Sequence, residues 1–377
     1  SEADDKPFSL GFEKIFTVRK QEADDFYTAI LPADISADLK NIQRKALAGL
    51  LWSKQYYHFD VERWLTTSDG ITPVNGGKQN GRNNDWKHLK NQDVIAMPDK
   101  WEYPWYAAWD LAFHCISLAM VDVVFAKHQL QLIMREWYMK PDGQLPAYEW
   151  NFSDVNPPVQ AWAAMEIYRV EKETYGEGDV VFLKRVFQKL LINFTWWINR
   201  KDRNGSNIFE GGFLGLDNIG VFNRSHHFAN ETQLEQADGT SWMGMYALNM
   251  MDMALEISRH DIAFEDSATK FFEHFVMIAE ALNELGLWCP DDRFFYDTLC
   301  RPGASNQGRW PAGALASSPL VLNSMIPSGV QKRMRVMAFT MTRRRSMPRR
   351  LSSQASGFEP SGFAMSAFAA SAFEFST

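Results

Sequence analysis

A carboxylic acid set among indole rings is equipped to donate a proton near neutral pH. One such acid stands in the run Trp105-Tyr106-Ala107-Ala108-Trp109-Asp110-Leu111-Ala112-Phe113-His114. Burial beside apolar rings disfavours the carboxylate and raises its pKa, which is the condition for a general acid. At the mouth of a helix the same Asp110 also reads as an N-cap, which would lower its pKa. Just upstream, Trp101, Tyr103, Trp105, Tyr106 and Trp109 fall within nine residues, too dense for one face of a single helix. Such a cluster either stacks the flat apolar faces of sugar rings or forms a Trp-rich core at a helix junction.

Two further runs mix hydrogen-bonding groups with aromatic plates, as recognition of a pyranose requires. In Tyr148-Glu149-Trp150-Asn151-Phe152-Ser153-Asp154-Val155-Asn156, the polar residues Glu149, Asn151, Asp154 and Asn156 alternate with rings ahead of Pro157-Pro158. The proline pair is suited to opening a helix, and an Asx-rich capping turn is the competing reading. In Gly211-Gly212-Phe213-Leu214-Gly215-Leu216-Asp217-Asn218, the glycines allow tight turns that present Asp217 and Asn218. They do not form a phosphate loop, because no Lys-Ser/Thr follows and no strand precedes. Glu235, Gln236, Asp238 and Trp242 stand at the mouth of another helix. His226-His227 lack a spaced carboxylate, so no catalytic metal and no cofactor are expected. No Gly-x-Ser-x-Gly elbow is present.

The elements that must carry these loops read as helices in succession. Apolar residues recur at helical spacing over 38–56, 110–119, 121–137, 158–175, 179–200, 240–258 and 262–285. Ser36 or Asp38 is suited to cap the first. The Met and aromatic stripes of 240–258 and 262–285 read as core. Strand patterns are few and short, so the expectation is an all-α fold with about seven helices. The long polar connections 57–100 and 203–239 read as functional loops, since ordered connections of that length seldom serve as plain linkers. A loop bearing Trp, Asp, Glu and Asn then a helix, repeated three or four times, is the pattern of a helical toroid whose alternate helix starts face one cavity.

Composition narrows the classes. Across 377 residues, 46% are hydrophobic and 23% charged, the balance of a globular chain. The formal charge of −7 gives no reason to expect nucleic acid as a partner, and no apolar run reaches the roughly 20 residues of a membrane helix. Three scattered cysteines and an acidic N-terminus without an apolar run lead to the expectation of a cytoplasmic protein. The charge is divided unevenly. Residues 1–297 hold 29 basic and 44 acidic side chains, whereas 298–358 hold ten basic and no acidic ones. Residues 301–377 therefore read as a separate basic and then Ser/Ala/Phe-rich tail. Its readings are an anion-binding arm, a disordered end or a shifted reading frame.

The Trp-Tyr-Ala-Ala-Trp-Asp-Leu-Ala-Phe-His, Leu-Pro-Ala-Tyr-Glu-Trp-Asn and Gly-Gly-Phe-Leu-Gly-Leu-Asp-Asn runs, in that order, resemble glycoside hydrolase family 63. The likeness is to its bacterial and fungal branch, related to processing α-glucosidases and mannosylglycerate hydrolases, and it spans about residues 10–300. It implies an (α/α)6 toroid over 1–300, incomplete at its C-terminal end. It also implies hydrolysis of an α-glucosidic or α-mannosidic bond of a small carbohydrate with inversion, Asp110 being the general acid. Trp105, Tyr106, Trp109, Phe113, His114, Glu149, Trp150, Asn151, Asp154, Asp217, Asn218, Glu235, Gln236, Asp238 and Trp242 are then the expected sugar-binding residues. Inversion needs a second carboxylate roughly 6.5–9.5 Å from the acid. The family places that base over two hundred residues beyond the acid, where this chain has only Glu359 and Glu374, so no base is assigned. The alternatives are a sugar-binding remnant that has lost turnover and a helical interaction protein whose Trp loops are structural. A ring short of its twelve helices should also leave an apolar edge exposed.

Overall fold

Local sequence decides where the helices begin. Ser36 accepts a hydrogen bond from the Leu39 amide at 3.3 Å and opens a helix over Ala37–Trp52. Asp122 does the same for Val123–Leu132 and Asp179 for Val180–Lys201, bonding the Phe125 and Phe182 amides at 3.0 and 2.9 Å. The computed structural model of the chain describes residues 8, 10–66, 81–97, 101, 106–202, 204–212, 224, 233–300 and 310–311. These belong to one unit within Ser1–Pro327. The expected tail beyond 311 and the residues Trp105, Asp217, Asn218, His226 and His227 lie outside the described residues.

Nine α-helices are present among the described residues: α1 (Leu10–Ile30), α2 (Ala37–Trp52), α3 (Val61–Thr66), α4 (Ala108–Ala119), α5 (Val123–Leu132), α6 (Gln160–Tyr175), α7 (Val180–Lys201), α8 (Ala237–Ser258) and α9 (Glu265–Glu284). The fold is all-α, with seven of these close to the expected segments. Three corrections apply. The helix expected over 121–137 stops at Leu132. Residues 10–30 form a helix that its weak apolar pattern did not announce. The connection expected as a polar loop over 57–100 contains α3 and much of an antiparallel hairpin, β1 (Lys54–Asp60) with β2 (Lys90–Ala96), paired from Lys54 opposite Ala96 to Asp60 opposite Lys90.

The packing alternates. Helices α4, α6 and α8 touch in series, while α5 lies against α4 and α6, α7 against α6 and α8, and α9 against α8. This is an arc of paired helices, one series inside the other. Helix α8 is buried along nearly its whole length, and Met243, Met245, Met250, Met251 and Met253 are all core, as the stripe predicted. Ion pairs tie the C-terminal halves of α6 and α8 together: Arg169 to Asp252 at 2.6 Å and Lys172 to Glu256 at 3.1 Å.

Short strands close around the start of α8. They are β3 (Gln233–Glu235), β4 (Trp288–Cys289), β5 (Phe294–Phe295), β6 (Thr298–Cys300) and β7 (Trp310–Pro311). Strand β6 lies between β3 and β7, with Glu235 opposite Thr298. Phe12, Ile15 and Phe16 on α1 and Leu39 and Ile42 on α2 are exposed, with the Phe12 ring edge-on to Phe8 and stacked on Phe16.

Candidate active site

The outer helices α5 and α7 are capped by their own aspartates, whereas α4, α6 and α8 follow Ala107, Val159 and Gln236, none of which caps with its side chain. The first-turn amides of an α-helix are unsatisfied donors with positive partial charge. Here those of α4 and α8 are met by distant residues. The Trp109 amide donates to Asn156 Oδ1 at 3.4 Å, Ala108 to the Ala147 carbonyl at 2.8 Å, and Ala237 to Asp297 Oδ1 at 2.8 Å. Asp110 is therefore not the cap of α4. It is the third residue of the helix, in its first turn.

One of these bonds joins the start of α4 to the loop before α6, and a close approach connects that loop to the residue preceding α8. Asn156 touches α4 from the loop before α6. In the same loop Asp154 lies beside Gly212, whose missing Cβ would sit 3.4 Å from Asp154 Oδ1 and 3.7 Å from the Arg224 carbonyl. Gly212 has φ +77°, a conformation glycine adopts without strain. The Gln236 amide clamps that glycine, accepting from its N–H at 2.7 Å and donating to its carbonyl at 3.0 Å. Gln236 directly precedes α8. The loops before α4, α6 and α8 are thus linked through Asn156, Asp154, Gly212 and Gln236. Ala108, Ala147, Asp154, Asn156, Gln160 and Trp196 line a cleft among them, with about 310 Å³ of empty space, open solvent included.

Rings line the α4 side. Trp109 packs edge-on against Phe113, and Phe113 against Trp162 of α6, with centroids 5.8 and 5.4 Å apart. His114 lies one turn beyond Asp110 on the same face. Its Nδ1 is buried without a partner among the described residues, and burial lowers its pKa, so the imidazole is neutral near pH 7. Tyr106 is fully buried against Tyr138 and Phe152, within the core. Trp101 is 84% exposed.

Glu149 pairs with Arg82 at 2.9 Å, and the Arg82 guanidinium lies over Trp150, 4.0 Å from its centroid. Burial raises the Glu149 pKa, and Arg82 only partly opposes it. Asn83 donates to the Glu149 carbonyl at 2.6 Å and accepts from the Phe152 amide at 2.9 Å. Asn151 forms the Asx turn anticipated for this run, accepting from Ser153 N at 3.2 Å. Sequence reasoning did not single out Arg82 or Asn83, although they stand in a polar run just before Trp86.

At the start of α8, Asp238 and Asp297 share Arg224. Asp238 Oδ1 accepts from Arg224 Nη2 and from the Gly239 amide, the latter at 2.7 Å, and Asp297 Oδ2 lies 4.0 Å from the same Nη2. Burial pushes the Asp297 pKa up, Arg224 opposes, and the Asp238 charge adds, leaving it at about 6. Glu235 and Trp242 flank this group, Glu235 buried and Trp242 partly exposed. Nothing local marks Asp297 or Arg224 in the sequence, since each meets the site from an irregular segment. Among the described residues no three His, Cys, Asp or Glu side chains are grouped to hold a metal, and no helix is long and apolar enough to cross a membrane.

Residues 103–218 match the family model of the mannosylglycerate hydrolase MGH1-like glycoside hydrolase domain. An uncharacterized protein of Saccharomyces cerevisiae, YMR196W, is 51% identical over 305 residues, a match covering 76% of this chain and 28% of the yeast protein. Among solved structures, an uncharacterized conserved protein from Thermus thermophilus is 14% identical, with a TM-score of 0.48 over 66% of this chain and 72% of that one. The family 63 mannosylglycerate hydrolase of the same organism, crystallised with glucose, is 15% identical, with a TM-score of 0.47 over the same shares. The chain spans about a quarter of the length of its yeast relative. Over residues 103–218, the chain is thus similar to the mannosylglycerate hydrolase MGH1-like glycoside hydrolase domain.

Proposed function

We propose that this chain provides the helical core of an inverting glycosidase that hydrolyses an α-glucosidic or α-mannosidic bond of a small carbohydrate. The observation that carries the reading is the convergence on one cleft of inner helix starts without local caps, inside a segment matching a glycoside hydrolase domain. Asp110 is the general acid. It gives its proton to the glycosidic oxygen as the bond to the anomeric carbon breaks, while a water attacks the opposite face and loses its own proton to a carboxylate base. Trp105, Trp109, Phe113 and Trp150 offer rings to the sugar faces. Glu149, Asn151, Asp154, Asp217, Asn218, Glu235 and Asp238 bind hydroxyls. Gln236 holds the Gly212 turn, His114 and Trp242 shape the walls, and Tyr106 supports them from the core. The reading requires neither metal nor cofactor.

The test is sugar release from α-glucosides and α-mannosides, glycerate and glycerol conjugates included, with the first-formed anomer followed by NMR. Release of the β-anomer is the expected result. Sugar binding without release would favour the second reading, a binding segment without turnover of its own. Neither binding nor release would favour a helical interaction protein.

A further inference from the structure

Arg224 is a buried cation, its side chain 5% exposed, met at one nitrogen by two buried carboxylates. Its Nε and Nη1, together with Asp238 Oδ2 and Asp297 Oδ2, are buried with no hydrogen-bond partner among the described residues. Two donors and two acceptors left open in one place are costly unless something fills them. Neighbouring hydroxyls of a sugar are suitable occupants, because each hydroxyl both accepts from an Arg N–H and donates to a carboxylate oxygen. Asp297 takes a second duty here. It reaches from the segment between β5 and β6 to accept the Ala237 amide, the first of α8.

We propose that Asp297 is a positioning residue of the sugar site: it holds the start of α8 and the Arg224 guanidinium so that Arg224 Nε, Nη1 and Asp238 Oδ2 present one edge to adjacent substrate hydroxyls. The inference rests on the reading that the chain binds a glycoside. A helix cap alone would not need a charge, since an Asn at 297 offers the Ala237 amide the same acceptor. The charge has its use at Arg224. The charged groups around Asp297 are Arg224, Asp238 on α8, and Glu235 on β3, the strand paired with β6. With its pKa raised to about 6, Asp297 takes up a proton in the folded chain before it does so in the unfolded one. Its contribution to stability therefore falls as pH rises from about 4 to about 6, by up to roughly 100-fold in the folding equilibrium. Its hold on Arg224 strengthens over the same interval. Stability and sugar binding should thus respond to pH with opposite signs.

Asp297→Asn separates the two effects. The variant should fold, be at least as stable as wild type at pH 7, and lose the fall in stability between pH 4 and 6, read by urea titration. Its affinity for methyl α-mannoside or methyl α-glucoside, measured by calorimetry at pH 7.5, should weaken by roughly tenfold. The rise in affinity through pH 6 seen in wild type should vanish. Unchanged affinity with an unchanged pH profile would make Asp297 a cap only and overturn the inference. If wild type binds neither sugar, the glycoside reading fails on its own. The stability cycle of Asp297→Asn with Arg224→Met then decides whether Asp297 holds Arg224, additive effects overturning the inference and coupling sustaining it.

Discussion

Asp110 and Glu149 are both carboxylates near aromatic rings, yet their immediate neighbours differ. Asp110 stands in the first turn of α4, near amides that have no partner within the helix. Glu149 is tied to Arg82, and that pair braces Trp150 through the guanidinium lying over the indole. Arg82→Met should leave Glu149 buried and unpaired. Because Arg82 keeps a third of its surface in water, the cost should be about 1–2 kcal/mol, below that of a fully buried pair. Chemical denaturation at pH 7 checks this, and the loss should shrink as pH falls and Glu149, its pKa already raised by burial, takes up a proton. At this scale the sequence was informative where chemistry is local. The Asx turn at Asn151 and the Ser36 cap follow from residue type and spacing. Asp297 and Arg224 were not legible, because what defines them is a meeting of residues 73 positions apart in the chain.

Capping divides the helices into two kinds. Ser36, Asp122 and Asp179 are local signals and could be read or sought in the sequence, whereas α4 and α8 borrow acceptors from other loops. Asp110 lost its reading as a cap for that reason: the acceptor that meets the Trp109 amide belongs to Asn156, 47 residues on. The hairpin β1–β2 was missed because its pairing spans thirty residues, and β1, with no fully buried residue, shows no apolar alternation. Gln236 shows how a loop is fixed against a helix start. Gln236→Leu would leave the Gly212 N–H and carbonyl buried without partners, a loss of about 2–4 kcal/mol. The variant should unfold at correspondingly lower urea concentration and, if it folds, bind sugar more weakly as Asp154 moves with Gly212.

Across the whole molecule, most resolved carboxylate shifts run downward. Burial raises the pKa of Asp122, Asp179 and Glu256, but Lys54, Lys127 and Lys172, with local hydrogen bonds, outweigh it and leave all three below their ordinary values. A depressed carboxylate stabilises the fold above its unfolded pKa, near 4, and the contribution is lost as pH falls through the lower folded value. The chain should therefore lose stability steeply below about pH 4, as circular dichroism across an acid titration would show. Asp297 contributes the opposite slope between about pH 4 and 6. The alternation of inner and outer helices was legible in the repeated order of polar loop and amphipathic segment; the uncovered apolar face of α1 was not, because residues 10–30 carry a weak pattern. The most direct test of the account compares wild type with Asp110→Asn on the same panel of α-glucosides and α-mannosides, with circular dichroism confirming that both are folded. The account predicts release of sugar by wild type and a loss of roughly 10²–10⁴-fold in the variant. Equal rates from the two proteins would contradict it.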